Sequence, residues 1–259
     1  MAISQEQDAR PVFFFDIDNC LYSRGEWNQR LVTQHISDTQ SIGSQIHDRM
    51  QELIDVFFVK YLSLEPKDAT MLHQKYYKEY GLAIEGLTRH HKIDPLVFNK
   101  EVDDALPLDD ILKPDPKLRE FLEDLDRNKV KPWLLTNAYV THGKRVVKLL
   151  GVDNLFEGIT YCDYSQPKLI CKPSDEMWEK AEREAGAKSI DDCYFVDDSA
   201  LNCRFAEKRG WKTVHLIEPI LEMPVNPACK ITIRRLEELR EIFPQFFKSK
   251  QEEAKAETL

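Results

Sequence analysis

No apolar run in the 259-residue sequence approaches the ~20 residues that a membrane-spanning helix needs, so a spanning helix is not expected. The opening MAISQEQDAR is polar and lacks the apolar stretch of a signal peptide. The expectation is a cytosolic protein with access to the nucleus. No CxxC pair occurs among Cys20, Cys162, Cys171, Cys193, Cys203 and Cys229. Isolated reduced thiols are therefore expected, in place of a disulfide frame or a zinc site. Excess positive charge is missing as well. A formal net charge of −9 weighs against binding a nucleic-acid polymer, which relies on basic surfaces. It leaves room for a small anionic substrate, because a local cluster with a metal ion can reverse the field inside one cleft. No internal repeat is present.

What remains has a soluble globular balance, 42% hydrophobic and 31% charged, at a length that suits one domain plus a smaller companion. Val12–Phe15 form a short apolar run that stops at Asp16. Similar runs follow at Pro132–Leu135, Gly158–Tyr161, Tyr194–Val196 and Thr213–Ile217. Continuous apolar strands of this kind suit a parallel sheet buried on both faces. Between them, Pro116–Arg127, Val140–Leu150 and Ser174–Ala185 carry apolar residues at helical spacing, with Gly151 as a C′ stop and Ser174 as an N-cap. Strands alternating with helices predict an α/β doubly wound core with a parallel sheet.

The alternation fails from Tyr22 to Pro107, where only helical patterns occur, notably Ile46–Tyr61 and Thr70–Tyr80. A helical insertion there would sit above the strand ends, where ligands bind in such sheets. The expected division is a core of 1–22 and 108–247, a helical cap of 23–107, and a charged, frayed tail of 248–259.

FFFDIDNC is the segment richest in chemistry. Residues two apart in extended chain project to the same side, so Asp16 and Asp18 can both face one cleft, one carboxylate to attack phosphorus and one to handle a proton. Asp16 is expected to be open to solvent there. Two acids after a strand are also common loop starters. Three further segments add to them. Thr136 and Asn137 offer a hydroxyl and an amide before a helix whose N-terminus can hold an anion. Lys172 precedes Pro173, read as part of a first helical turn. Asp197 and Asp198 end another strand. Taken singly, Thr136 and Ser199 read as helix caps, Lys172 as a solvated lysine and Asp197–Asp198 as a turn. Acid, hydroxyl, lysine and acid meeting in this order at one sheet edge are harder to dismiss.

This order of motifs resembles the haloacid dehalogenase-like superfamily. The segments DIDNCLY, YYKEYGLAIEGLTRHHKIDP, VDDALPL, LLTNAY and FVDDSALN resemble its pyrimidine 5′-nucleotidase branch, especially fungal members, over about Pro11 to Phe246. The resemblance implies a Rossmann-like core and hydrolysis of nucleoside 5′-monophosphates, UMP or CMP, with Mg²⁺ as cofactor. Asp16 would form an aspartyl-phosphate and Asp18 would act as acid and base. Thr136 and Asn137 would bind phosphate, and Lys172 would neutralise charge on nucleophile and phosphate. Metal ligands would be the Asp16 carboxylate, the Asp18 backbone carbonyl and Asp197. Asp198 would orient these ligands or join them as a further ligand partner, braced by Asn202 one helical turn on.

Cys20 stands where the family usually has threonine or valine, and reads as a buried inert thiol. Arg24, Glu26 and Trp27 lie where a substrate pocket would form. Trp27 or Tyr22 could stack on a base, although aromatics near a hinge more often pack. Adjacent His90 and His91 point to different faces and suit solvated or core roles better than metal binding. Sugar phosphates, pyridoxal phosphate and lysophosphatidate are the alternative substrates. A non-catalytic binding module is the alternative outside enzymes, disfavoured because Asp16, Asp18, Lys172 and Asp197 are all present.

Overall fold

The computed structural model describes residues 8–22, 45–219 and 221–249. Arg24, Glu26, Trp27 and most of the charged tail lie outside the described residues.

Six strands form one parallel sheet: β1 (Val12–Phe15), β2 (Lys131–Thr136), β3 (Ile159–Tyr161), β4 (Cys193–Asp197), β5 (Lys212–Leu216) and β6 (Ile231–Ile233). Their order is β3-β2-β1-β4-β5-β6 and every pairing is parallel. This is a Rossmann-like doubly wound α/β fold. The strand order reverses between β1 and β4, and that reversal opens a crevice at the carboxyl ends of the strands.

Alternation along β1 shows why the run is wholly apolar. Phe13 and Phe15 face one layer, built from Leu118, Phe121 and Leu122 and from Val146 and Val147. Val12 and Phe14 face the other, built from Met177, Trp178, Ala181 and Trp211. Phe14 stacks on Trp211 with ring centroids 4.7 Å apart, and Phe13 on Phe15 at 4.6 Å. A strand with both faces covered has no polar side to show.

Four helices supply these layers, the first three within a few residues of their expected limits and the fourth unanticipated. They are Pro116–Glu123, Val140–Leu149 (the J helix below), Asp175–Ala185 and Ala200–Arg209. Asp115 caps the first, accepting hydrogen bonds from Lys117 and Leu118 N–H, with Pro116 in the first turn. Gly151, at φ 72°, follows the J helix as its left-handed stop. Two local readings differ. Ser174 occupies the N-cap position of Asp175–Ala185 but receives no cap bond, and its hydroxyl instead turns to donate to Cys171 O at 2.8 Å. Pro173 precedes that N-cap and is not in the helix, since the chain from Leu169 to Ser174 is a loop.

Between β1 and β2 the described residues are helical and contain no strand. Gln45–Leu62, Pro66–Tyr80, Ala83–His91 and Pro95–Phe98 run into a π-helical stretch, Asn99–Asp103. Ile54, Phe57, Phe58, Tyr76, Ile84 and Leu87 form a separate apolar cluster. That cluster also takes in Cys162, Tyr164, Leu169 and Cys171 from the loop after β3. Gly86 lets two of these helices meet, since a Cβ there would lie 2.2 Å from the Tyr76 ring. Among the described residues, no helix is long and apolar enough to cross a membrane.

Candidate active site

Asp16 follows β1 immediately, and its N–H donates to Val196 O at 3.0 Å, tying the loop start to the neighbouring strand. Asp197 closes β4. The two acids thus flank the point where strand order reverses, and Lys172 lies between them. Its Nζ donates to Asp16 Oδ1 at 2.6 Å, Asp197 Oδ2 at 2.7 Å and Leu135 O at 2.8 Å. Only 1% of the lysine is exposed, which overturns its reading as a solvated side chain. It arrives from the loop after β3, not from a strand end.

Asn137 explains how a loop holds so demanding a position. Its side-chain amide donates to Lys172 O at 2.9 Å and accepts from Lys172 N–H at 2.7 Å. The amide expected to bind phosphate is therefore committed to the backbone of the lysine. Thr136 is buried, and its hydroxyl accepts from Ala138 N–H at 3.0 Å. No side chain caps the J helix, so its first N–H groups open toward the same crevice.

Asp197 is held on both oxygens. Ser199 N–H donates to Oδ1 at 2.7 Å, and Asn202 Nδ2 donates to Oδ2 at 3.0 Å. Asn202 thus braces Asp197, where Asp198 was expected, because Ser199 is the N-cap and the helix turns back only from Ala200. The Ser199 hydroxyl itself accepts from Asn202 N–H, an ordinary cap. Asp198 is tied through its backbone, whose carbonyl accepts from His215 Nε2 at 3.1 Å.

Asp16 is 6% exposed, so the expected opening to solvent is not there. Burial drives its carboxyl well above the usual range, against the pull of Lys172, and the charges of Asp197, Asp198 and Asp18 add to the rise. Burial also acts to lower Lys172, but the Asp16 and Asp197 carboxylates outweigh it and keep the ammonium charged. Carboxylate oxygens of Asp16, Asp197 and Asp198 lie within 4.8 Å of one another, the one such acid cluster among the described residues. Three hard oxygen donors, two of them bonded to one lysine, fit a hard divalent cation of the magnesium or calcium kind. The Asp18 carboxylate stands outside this group.

Asp18 turns elsewhere. Its Oδ1 accepts from the Tyr22 hydroxyl at 2.8 Å and lies 2.8 Å from His142 Nε2. Burial pushes the Asp18 carboxyl up, yet the charge and hydrogen bond of His142 and the Tyr22 bond hold it below its ordinary value. Burial alone would lower His142. The Asp18 charge, the hydrogen bond and the charge of Asp103 reverse this and raise the ring to about 9. Asp103, buried in the π-helical stretch, is pushed up to about 7 by desolvation. Sequence reasoning missed both residues. His142 left a signal: it sits four residues before Val146, on the buried stripe of the J helix. Asp103 left none, because its burial depends on a π-helical turn. Tyr22, read as a stacking or packing ring, instead serves Asp18.

A cavity of about 270 Å³ opens over these groups. Asp16, Asp18, Thr136, Lys172 and Asp197 line its floor, and Met50, Ile54, Gln74, Tyr77 and Phe98 of the helical layer line its roof. Cys20 lies beside the floor as a buried thiol, its pKa raised well above normal by burial and the nearby acids. All six cysteines are free and buried. His90 and His91 bond to the hydroxyls of Tyr80 and Tyr76, at 2.9 and 2.7 Å, away from the acid cluster.

Comparisons with known proteins agree with this picture. The model of the haloacid dehalogenase-like hydrolases matches residues 11–210. Phosphate metabolism protein 8 of Saccharomyces cerevisiae is 41% identical over 219 residues, which cover 81% of this chain and 63% of that protein. The chain thus spans less than two thirds of that relative. A HAD phosphatase from Thermococcus onnurineus superposes with a TM-score of 0.58 at 16% identity, over 92% of this chain and 100% of that one. The HAD-hydrolase YfnB from Bacillus subtilis, bound to magnesium, gives 0.54 at 15% identity, over 91% and 99%. At such identities these structures speak for the fold alone.

Proposed function

The chain belongs to the haloacid dehalogenase-like hydrolases, and from that membership we propose that it is a magnesium-dependent phosphatase of nucleoside 5′-monophosphates, UMP and CMP foremost. The observation that carries the phosphatase reading is the buried Asp16–Lys172–Asp197 group, with Asp198 beside it, at the reversal of strand order. A phosphate ester is a dianion, and a carboxylate nucleophile would repel it unless fixed positive charge lay between them. Lys172 supplies one such charge. Asp16, Asp197 and Asp198 would hold Mg²⁺, with the Asp18 backbone carbonyl, and the ion would supply further neutralisation of the phosphoryl oxygens.

The protein's own groups divide the remaining work. An Asp16 carboxylate oxygen attacks phosphorus in line and the bond to the ester oxygen breaks, while Asp18, which takes up a proton as the negative charge of the phosphate enters the cleft, delivers it to the departing alkoxide. Water then attacks the aspartyl-phosphate, Asp18 takes its proton, and the bond from phosphorus to Asp16 breaks to release phosphate. Thr136 and the first N–H groups of the J helix receive the phosphoryl oxygens. The inserted helices from Gln45 to Asp103 act as a cap that closes over the leaving group and keeps water out while the intermediate forms.

The pyrimidine nucleotide is supported by the resemblance of DIDNCLY, LLTNAY and FVDDSALN to that branch, and by a roof that offers an aromatic ring and an amide, Tyr77 and Gln74. The test is phosphate release, with Mg²⁺ and then with EDTA, from UMP, CMP, AMP, GMP, dUMP, pyridoxal phosphate, sugar phosphates and lysophosphatidate. Magnesium-dependent release led by UMP and CMP is expected. Release led by another ester would overturn the substrate and keep the mechanism, and release from none would overturn both.

A further inference from the structure

A proton-transferring carboxylate on a loop must lose its torsional freedom before it can act, because rates fall steeply when reacting atoms stray from alignment. Two side chains fix Asp18, and both bind the same oxygen. Tyr22 donates to Oδ1 from the same turn of chain, and His142 Nε2 meets Oδ1 from the J helix, 124 residues away. Neither reaches Oδ2. Among the described residues one oxygen is pinned and the other has no side-chain partner, and the Asp18 side chain, which lines the cavity, is 30% exposed.

His142 borders the cavity but is only 2% exposed. Its one hydrogen bond goes to Asp18, while Nδ1 is buried without a hydrogen-bond partner. The backbone is shaped for the contact as well. Gly143 follows His142, and a Cβ there would lie 3.1 Å from Ile17 Cδ1 and 3.0 Å from Ile159 Cδ1. Ile17 stands between Asp16 and Asp18, so the missing side chain is what lets the J helix approach the loop that carries both acids.

We infer that His142 is a positioning residue for proton transfer, holding the Asp18 carboxylate so that its free oxygen meets the leaving group. The inference rests on the phosphatase reading above. It holds for either donor form of the ring, since the imidazolium and the Nε2–H tautomer both donate to Asp18.

A misplaced acid hurts esters in proportion to how much their leaving group needs a proton. An alkoxide needs one, whereas p-nitrophenolate departs without one. The experiment measures kcat/KM, which covers steps only through departure of the leaving group, for p-nitrophenyl phosphate and for the alkyl phosphate that the wild type cleaves best. His142→Leu should lower the value for the alkyl ester by about 100-fold, with a loss at least tenfold smaller for p-nitrophenyl phosphate, since general acid catalysis contributes about 10²–10⁴. His142→Gln, which keeps a donor near the Nε2 position, should recover most of the loss, and Tyr22→Phe should show the same bias toward the alkyl ester. Thermal melting identifies any variant that fails to fold. Should His142→Leu fail to fold, His142→Asn, whose shorter amide draws the donor back from Asp18, takes its place and must show the same bias toward the alkyl ester. Equal losses on both esters in folded variants, or no loss, would overturn the inference while leaving the phosphatase reading intact. A wild type that cleaves neither ester would remove both.

Discussion

Replacing Lys172 with methionine keeps the length of the side chain and removes its charge. The structure sets the size of the effect. Lys172 Nζ holds Asp16 and Asp197 at 2.6 and 2.7 Å, and with Asp198 these acids share a space 4.8 Å across. Removing one partner from a buried ion pair costs about 3–5 kcal/mol, because the remaining charge stays desolvated. Here two carboxylates lose one cation, which argues for the upper part of that range. Uptake of a proton by Asp16, already favoured by burial, returns some of it. For a chain of this size each kcal/mol moves the melting temperature by about 2–4 °C, so the variant should melt roughly 6–20 °C lower. A divalent cation in the acid cluster would restore part of the missing charge. Millimolar MgCl₂ should therefore raise the Tm of Lys172→Met by more than that of the wild type. The assay is scanning fluorimetry of both proteins in EDTA and in MgCl₂, with phosphate release measured alongside. An unchanged Tm in EDTA would refute the view that this lysine neutralises a buried acid pair. Equal responses to magnesium would refute the cluster as the cation site.

Three other perturbations test separate parts of the site. Asp16→Asn, an isosteric change, should abolish phosphate release with a Tm within a few degrees of the wild type, and substantial residual turnover would exclude the covalent route. Gly143→Ala should press on Ile17 and Ile159 at 3.0–3.1 Å and cost about 1–3 kcal/mol of stability, as overpacking of a filled site does; chemical denaturation that finds no loss would show that the J helix can shift. The ordinary value for His142 is 6.5 and the folded value about 9, so the folded chain holds a proton across that window that the unfolded chain has released. The resulting stability is complete below pH 6.5 and lost as pH rises through 9, at most about 3 kcal/mol for this shift. Melting temperatures of the wild type and His142→Gln should converge between pH 6 and 9.5, and a constant difference would contradict the assignment.

Much of the fold was legible because its strands are buried on both faces and end at polar residues. VFFF before Asp16 is the clearest case, and the acids and Thr136 were readable as the residues at such stops, whereas Lys172 comes from the loop after β3. β6 escaped notice because it has three residues, two of them only half-buried. Ala200–Arg209 escaped because LNCRFAEKR carries little apolar periodicity. Asn202 was assigned the wrong acid because the rule of four residues per contact holds inside a helix, and Asp198 lies before the cap. His142 needed knowledge of which strand end its helix would meet. That is a long-range fact, fixed by the approach at Gly143 and absent from any local pattern.

The loop from Cys162 to Cys171 belongs to the apolar cluster of the inserted helices, yet it ends at the lysine that serves the sheet. Exchanging the inserted helices alone would therefore strip the lysine loop of its apolar partners. A relative that acquired different helices between β1 and β2 would inherit a lysine loop fitted to the old ones. A working exchange must carry residues 162–171 along with the helices, so two stretches separated by the whole of β2, the J helix and β3 form one unit of inheritance.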